Sequence, residues 1–356
     1  LQHCALSHAL CRPSPHISDR PARFLVIDNK ACLPVLRLVD QQDVEAPYIA
    51  LSHCWGDKDG IIETTSNSLE KHRSSGIPIA DLPNSFRDAA YIAQALNIHH
   101  LWIDSLCIIQ DDALDWEQES VKMADVYSGA FLTVAVTGSA NPSGGCLFPR
   151  RQHFNGVDDP VSCTGIASRA GRLNLPPEVR VRYERVCHQR MEGQYARWQE
   201  VDKQISPLLT RAWGFQEKIL SPRMIHFHGE EMIWECNEEH VCECGYRPLG
   251  GHDPTRTSAI IARAVESGQQ EEIWQLWADL VERYILLDIT YEKDRLPALA
   301  GLGKYLSRIL DCTYMAGLWK EDFGRQVLWN RDYLAWKPSP SRRAQQVPTW
   351  TWASVV

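Results

Sequence analysis

The sequence has no apolar run approaching the roughly 18 residues that would span a bilayer, and its opening stretch, LQHCALSHALCRPSPH, lacks the apolar core of a secretion signal. No long basic block occurs either. A formal charge of −8 over 356 residues argues against the extended phosphate-binding surface of a nucleic-acid protein and leaves only a local anion site open. A paired CxxC zinc pattern is missing. The twelve cysteines are scattered through a long chain rich in core-type residues, so reduced thiols are expected rather than a disulfide framework. Together these absences point to an intracellular, cytoplasmic protein. The chain also does not begin with methionine, which suggests a fragment or a processed chain.

What is present is enough apolar material, 44% of residues, for a large core. The segment Leu101 to Val136, LWIDSLCIIQDDALDWEQESVKMADVYSGAFLTVAV, is the one around which the rest is organised. Leu101 to Ile109 is almost continuously apolar, as suits a strand covered on both faces, but Asp104 and Ser105 interrupt it where an unpaired carboxylate would be costly. Asp111 and Asp112 can cap a helix on which Trp116, Met123 and Tyr127 recur at helical spacing before the β-rich run Phe131 to Val136. The segment therefore predicts strand, helix, parallel strand. Upstream, Arg23 to Asp28 and Leu36 to Asp40 offer two short alternating strands, and Tyr48 to Ser52 a third. A helix with Asp81 as N-cap and Pro83 in its first turn should run to Asn97.

This alternation predicts an α/β fold with a mostly parallel sheet flanked by helices. Downstream, RAWGFQEKIL reads as a helix and MIHFHGEEMIWEC as a β-hairpin about Gly229. Amphipathic helices follow from Ile273 to Tyr284 and from Leu296 to Leu310. Trp319, Trp329, Trp336, Trp350 and Trp352 supply apolar area for packing between lobes. The expected organisation is an N-terminal extension with short strands over 1–46, a core over 47–150, an irregular connection over 151–205, and a mainly helical C-terminal lobe carrying the hairpin over 206–356. Residues 1–22 read as loosely structured.

Ligands of such sheets gather at strand carboxyl ends. Here these are Ser52 to Gly56, including His53, Cys54 and Trp55, and Asp104 to Asp112, with Glu117 and Glu119 on the helix that follows. Ser52 and Asp104 should share one edge of the sheet, and Asp104 should be paired from a neighbouring loop or helix terminus. Cys236, His240, Cys242 and Cys244 form the one dense thiol group. Its CNEEHVCECG spacing reads as ordinary thiols near a hairpin, and no metal site is assigned.

YIALSHCWG, LPNSFRDAA, LWIDSLCIIQDD with DWEQESVKMADVYSGA, TRAWGFQEKILSPR, the hairpin ending WEC, and VPTWTWASV together resemble the fungal heterokaryon-incompatibility (HET) domain proteins. The resemblance implies a fungal role in non-self recognition, innate immunity and programmed cell death. The core in turn resembles TIR domains, some of which cleave NAD with a glutamate a few residues after a tryptophan. Carried over, that motif falls on Trp116 and Glu119. As the resemblance implies it, Glu119 would stabilise an oxocarbenium-like transition state at the nicotinamide–ribose bond, with Ser52, Trp55, Asp104, Ser105 and Trp116 binding NAD as substrate and no cofactor.

Two readings of other classes stay open. A Cys/His hydrolase would use Cys54 or Cys107 with His53, His99 or His100. A non-catalytic signalling module would self-associate or bind a sensor partner, with Arg211, Trp213, Gln216 and Glu217 fixing the second lobe against the core.

Overall fold

The computed structural model describes residues 1–12, 19–29, 34–41, 46–56, 61–147, 205–229, 231–243, 270–330 and 347–354. Residues 151–204 of the expected connection, Trp336 and Cys244 lie outside this set. In place of a loose start, the chain opens with α1 (Gln2–Ser7) and a 3-10 turn (Ala9–Cys11). The alternating runs then form β1 (Arg23–Asp28) and β2 (Val35–Asp40), paired antiparallel with Arg23 opposite Asp40. β3 (Tyr48–Ser52) is buried along its whole length, as its unbroken apolar run requires.

After α2 (Leu69–Ser74) and the short edge strand β4 (Ile77–Pro78) comes α3 (Asn84–Ala95). This helix starts later than the sequence implies. Leu82, held extended (φ −74°, ψ 146°) before Pro83, cannot take helical dihedrals, so Asp81 closes a 3-10 turn instead of capping the helix. Asn97, at φ 57°, lies just past its end.

The Leu101–Ile109 run is not one strand. β5 (His100–Trp102) is followed by a single helical turn, α4 (Asp104–Cys107), and then by α5 (Ala113–Gly129) and β6 (Leu132–Ala135). The N-terminus of α5 is capped by Asp112, whose side chain accepts from the Leu114 and Asp115 amides. Beyond the undescribed stretch, α6 (Ala212–Leu220) leads into β7 (Arg223–Phe227), β8 (Met232–Cys236) and β9 (His240–Cys242), the first two forming the expected hairpin. The C-terminal lobe contributes α7 (Gln270–Tyr284), α8 (Pro297–Leu310), a two-residue ribbon of β10 (Tyr314–Met315) with β11 (Leu318–Trp319), and α9 (Phe323–Gln326). Trp274 and Trp277 of α7 pack on Trp319 with ring centroids 5.7 and 5.3 Å apart, and Trp352 meets Tyr284.

One nine-stranded sheet, in the order β4-β2-β1-β5-β3-β6-β7-β8-β9, joins these parts. Parallel pairing is confined to the four central strands β5, β3, β6 and β7, and antiparallel strands flank them on both sides. From β3 the chain crosses to β5 on one side and then returns past β3 to β6 on the other. Such a reversal opens a crevice at the strand carboxyl ends. Among the described residues no helix is long and apolar enough to cross a membrane.

Candidate functional site

Parallel register sets Ala50 of β3 opposite Trp102 of β5, so Ser52 and Asp104 leave the sheet at the same edge, as their polar exits imply. Ser52 also stands opposite Ala135 of β6, which puts it at the reversal point. The loop after β3 bends back because Gly56 adopts φ +67°, and a Cβ there would lie 2.6 Å from Asn141 Cβ. That turn brings the Trp55 indole over Asp104, and Trp55 Nε1 donates to Asp104 Oδ2 at 2.7 Å. Oδ1 of the same carboxylate accepts the Ser105 amide at 2.7 Å and lies 3.8 Å from His53 Nδ1. Asp104 is thus paired from a neighbouring loop and from the start of its own helical turn.

Behind this pair, α6 inserts Glu217. Its carboxylate accepts a hydrogen bond from Ser52 Oγ, with Ser52 1% and Glu217 5% exposed. Burial pushes the Glu217 carboxyl up to about 7; the Ser52 hydrogen bond opposes this, nearby Asp104 adds to it, and Arg211 opposes it in turn. Tyr127, whose hydroxyl donates to the Leu51 carbonyl at 3.1 Å, lies beside the same carboxylate. Arg211 Nη1 donates to the His53 carbonyl at 3.1 Å. Burial keeps the His53 imidazole below its usual range, and neither ring nitrogen has a hydrogen-bond partner among the described residues. The result is a cluster of two carboxylates, a guanidinium, a neutral imidazole and two hydroxyls. Asp104 and Trp55 are its half-buried outer members.

Of the residues singled out in the sequence, Ser52, Trp55 and Asp104 come together here. Ser105 is adjacent to Asp104, but its hydroxyl is buried without a hydrogen-bond partner among the described residues. Trp116 is half-buried against the main core. Glu119 is only 2% exposed, and its two carboxylate oxygens take the Ala22 amide at 3.1 Å and Lys122 Nζ at 2.6 Å. No hydrogen bond among the described residues joins it to Ser52, Trp55 or Asp104, and its pairing is that of a carboxylate holding the entry to β1. Glu117 is exposed.

The thiol–imidazole reading loses ground. Burial pushes Cys107 up to about 12 and also raises Cys54, so neither supplies a thiolate at neutral pH. Glu217 belongs to the expected bridge between lobes, and Gln216 and Arg211 are buried or half-buried with it. Sequence reasoning named His53 only as a candidate base for a thiol, and it missed the convergence of Tyr127 on Glu217. Tyr127 signals only core at helical spacing, and no spacing rule links it to a residue 90 positions away.

Comparisons with curated proteins and with solved structures returned no match. Residues 48–217 do match a family model, that of the heterokaryon incompatibility protein (HET). The matched span opens on the first residue of β3 and ends on Glu217, so the part of the chain that is similar to the heterokaryon-incompatibility (HET) domain encloses the whole cluster.

Proposed function

We propose that this protein acts in fungal non-self recognition and cell death by hydrolysing the nicotinamide–ribose bond of NAD at the β3–β6 crevice. Glu217, and not Glu119, is the carboxylate of that reading. The supporting observation is Glu217 itself, a buried carboxylate at the reversal point of the sheet, held by Ser52 and titrating near neutrality beside a second carboxylate. Nicotinamide leaves as a neutral ring from a cationic pyridinium, so the enzyme need only stabilise positive charge developing on the ribose. In its ionised form Glu217 supplies the negative charge that stabilises it, and Ser52 orients the carboxylate. Trp55 and Asp104, at the outer side of the cluster, receive the nicotinamide ring and the ribose hydroxyls. Water then completes the hydrolysis to ADP-ribose.

The test is nicotinamide release from NAD by purified protein, assembled as well as monomeric. Glu217→Gln should lower the rate at least a hundredfold, the scale expected when a transition-state charge partner is removed. Glu119→Gln should keep turnover wherever it stays folded. Undiminished turnover in folded Glu217→Gln would refute the assignment. A wild type inert in every assembled state would favour a second reading, a non-catalytic self-associating module in which the same cluster is a bridge. That reading draws on the near-complete burial of Ser52, His53 and Glu217.

A further inference from the structure

We propose that Cys4, His8, Cys11 and Cys236 form a structural zinc site that fastens the amino-terminal segment to the far side of the sheet. α1 carries Cys4, the residue closing that helix is His8, and the 3-10 turn ends on Cys11. The fourth ligand, Cys236, ends β8, more than two hundred residues away in sequence. Each residue offers one ligand atom, and all four atoms lie within 4.8 Å of one another. His8 Nδ1 is 3.2 Å from Cys236 Sγ. Zinc bonds of about 2.3 Å to sulfur and 2.0 Å to nitrogen put tetrahedral ligand atoms roughly 3.5–3.8 Å apart, so a small inward movement of the side chains closes the shell. Three thiolates and an imidazole are the soft, four-coordinate set that selects zinc, and they leave no open position for chemistry.

Two further observations point the same way. The segment that brings three ligands has little apolar burial to hold it, since Leu6 is 82% exposed and Leu10 only half-buried, whereas Cys4 and Cys11 are 2% and 0% exposed. Its polar anchors include Leu10 N to Glu238 Oε1 at 2.8 Å, Asn237 Nδ2 to Leu10 O at 2.7 Å and Arg223 Nη2 to Cys11 O at 2.6 Å. Arg223 is itself significant. A zinc ion with three thiolates and one neutral imidazole has a net charge of −1, and this buried guanidinium lies beside Cys4. Arg223 Nε is buried with no acceptor among the described residues, and a metal-bound thiolate is the acceptor it lacks. Within the CNEEHVCECG stretch, then, Cys236 joins ligands from the chain's start, and His240 and Cys242 are not in the group.

Metal analysis of the full chain, purified under reducing conditions with zinc present and then dialysed, should give about one tightly held zinc per chain. Cys4→Ser, Cys11→Ser and Cys236→Ser should each lose it, and Cys242→Ser should retain it. Replacing zinc by cobalt(II) in the wild type should give the intense visible bands of a tetrahedral cobalt site and a thiolate charge-transfer band in the near ultraviolet. The cobalt spectrum decides the matter where a serine variant fails to fold. Metal-free wild type after loading, an octahedral cobalt spectrum, or metal retained in folded Cys11→Ser would each overturn the proposal. So would a disulfide between any two of the three cysteines in protein kept reduced.

Discussion

At the scale of single residues, the two glutamates illustrate how burial and partners set two carboxylates apart. Glu119 is ion-paired to Lys122 and accepts a backbone amide, so Glu119→Ala strands the Ala22 N–H and should cost about 1–3 kcal/mol of stability. Thermal unfolding of that variant checks this, and an unchanged midpoint would remove the structural role. Glu217 behaves in the opposite way. Its carboxyl, ordinarily near 4.5, is pushed by burial to about 7 in the folded chain. The folded state therefore binds more protons than the unfolded state between those values, and stability falls as pH rises through that window and levels off above it. The full shift corresponds to about 3 kcal/mol. Glu217→Gln, which cannot ionise, should lack this slope, so its stability relative to wild type should rise between pH 5 and pH 8. Parallel pH profiles for the two proteins would show the mechanism to be wrong.

At the scale of elements, the strands and helices with clear periodicity were legible and the short joints between them were not. β1, β2, β3, β6, the β7–β8 hairpin and the two long C-terminal helices follow from alternation or helical spacing. The Leu101–Ile109 run misleads because the turn at Asp104–Cys107 spans only four residues. That is barely one helical period, too little for a pattern, and the residues on either side of Asp104 and Ser105 are as apolar as a buried strand. The bend after β3 is a similar case: Gly56 marks a turn, but the closeness of Asn141, which makes glycine obligatory, depends on a segment 85 residues later. Gly56→Ala meets both a left-handed backbone and the Asn141 side chain. It should displace Trp55 from Asp104 and cost roughly 1–3 kcal/mol, about the strain of a non-glycine residue held in that region. Red-shifted emission from a more exposed indole, together with a lower unfolding midpoint, would report it; wild-type values for both would show the loop free to adjust. The ligands converging on Cys236 were illegible for the same reason as Asn141, since closure across the sheet leaves no local spacing.

At the scale of the whole molecule, the sheet makes the N-terminal strands, the core and the β7–β9 edge one continuous layer, and the C-terminal lobe is held to it chiefly through α8 packing on α5 and α6. One ion pair ties this contact. Arg308 of α8 donates from Nη1 and Nη2 to the two oxygens of Asp125 on α5, at 3.1 and 2.6 Å. The two ends are unequal, because the Asp125 side chain is 5% exposed and that of Arg308 is 31% exposed. A guanidinium left without its carboxylate can turn to water, whereas the buried carboxylate left without its guanidinium cannot. Arg308→Met should therefore cost more than Asp125→Asn, roughly 2–4 kcal/mol against about 1–2 kcal/mol. Because each substitution removes the same bidentate contact, the double variant should lose less than the sum of the two. Glu217 sits on α6, which packs against both α5 and α8, so loosening this contact should also weaken the Ser52–Glu217 bond and any turnover that depends on it. Unfolding midpoints for the three variants, read beside nicotinamide release, make the comparison. Equal single costs that simply add would mean that the lobe is held by its apolar surface alone, and that the ion pair is a passenger on it.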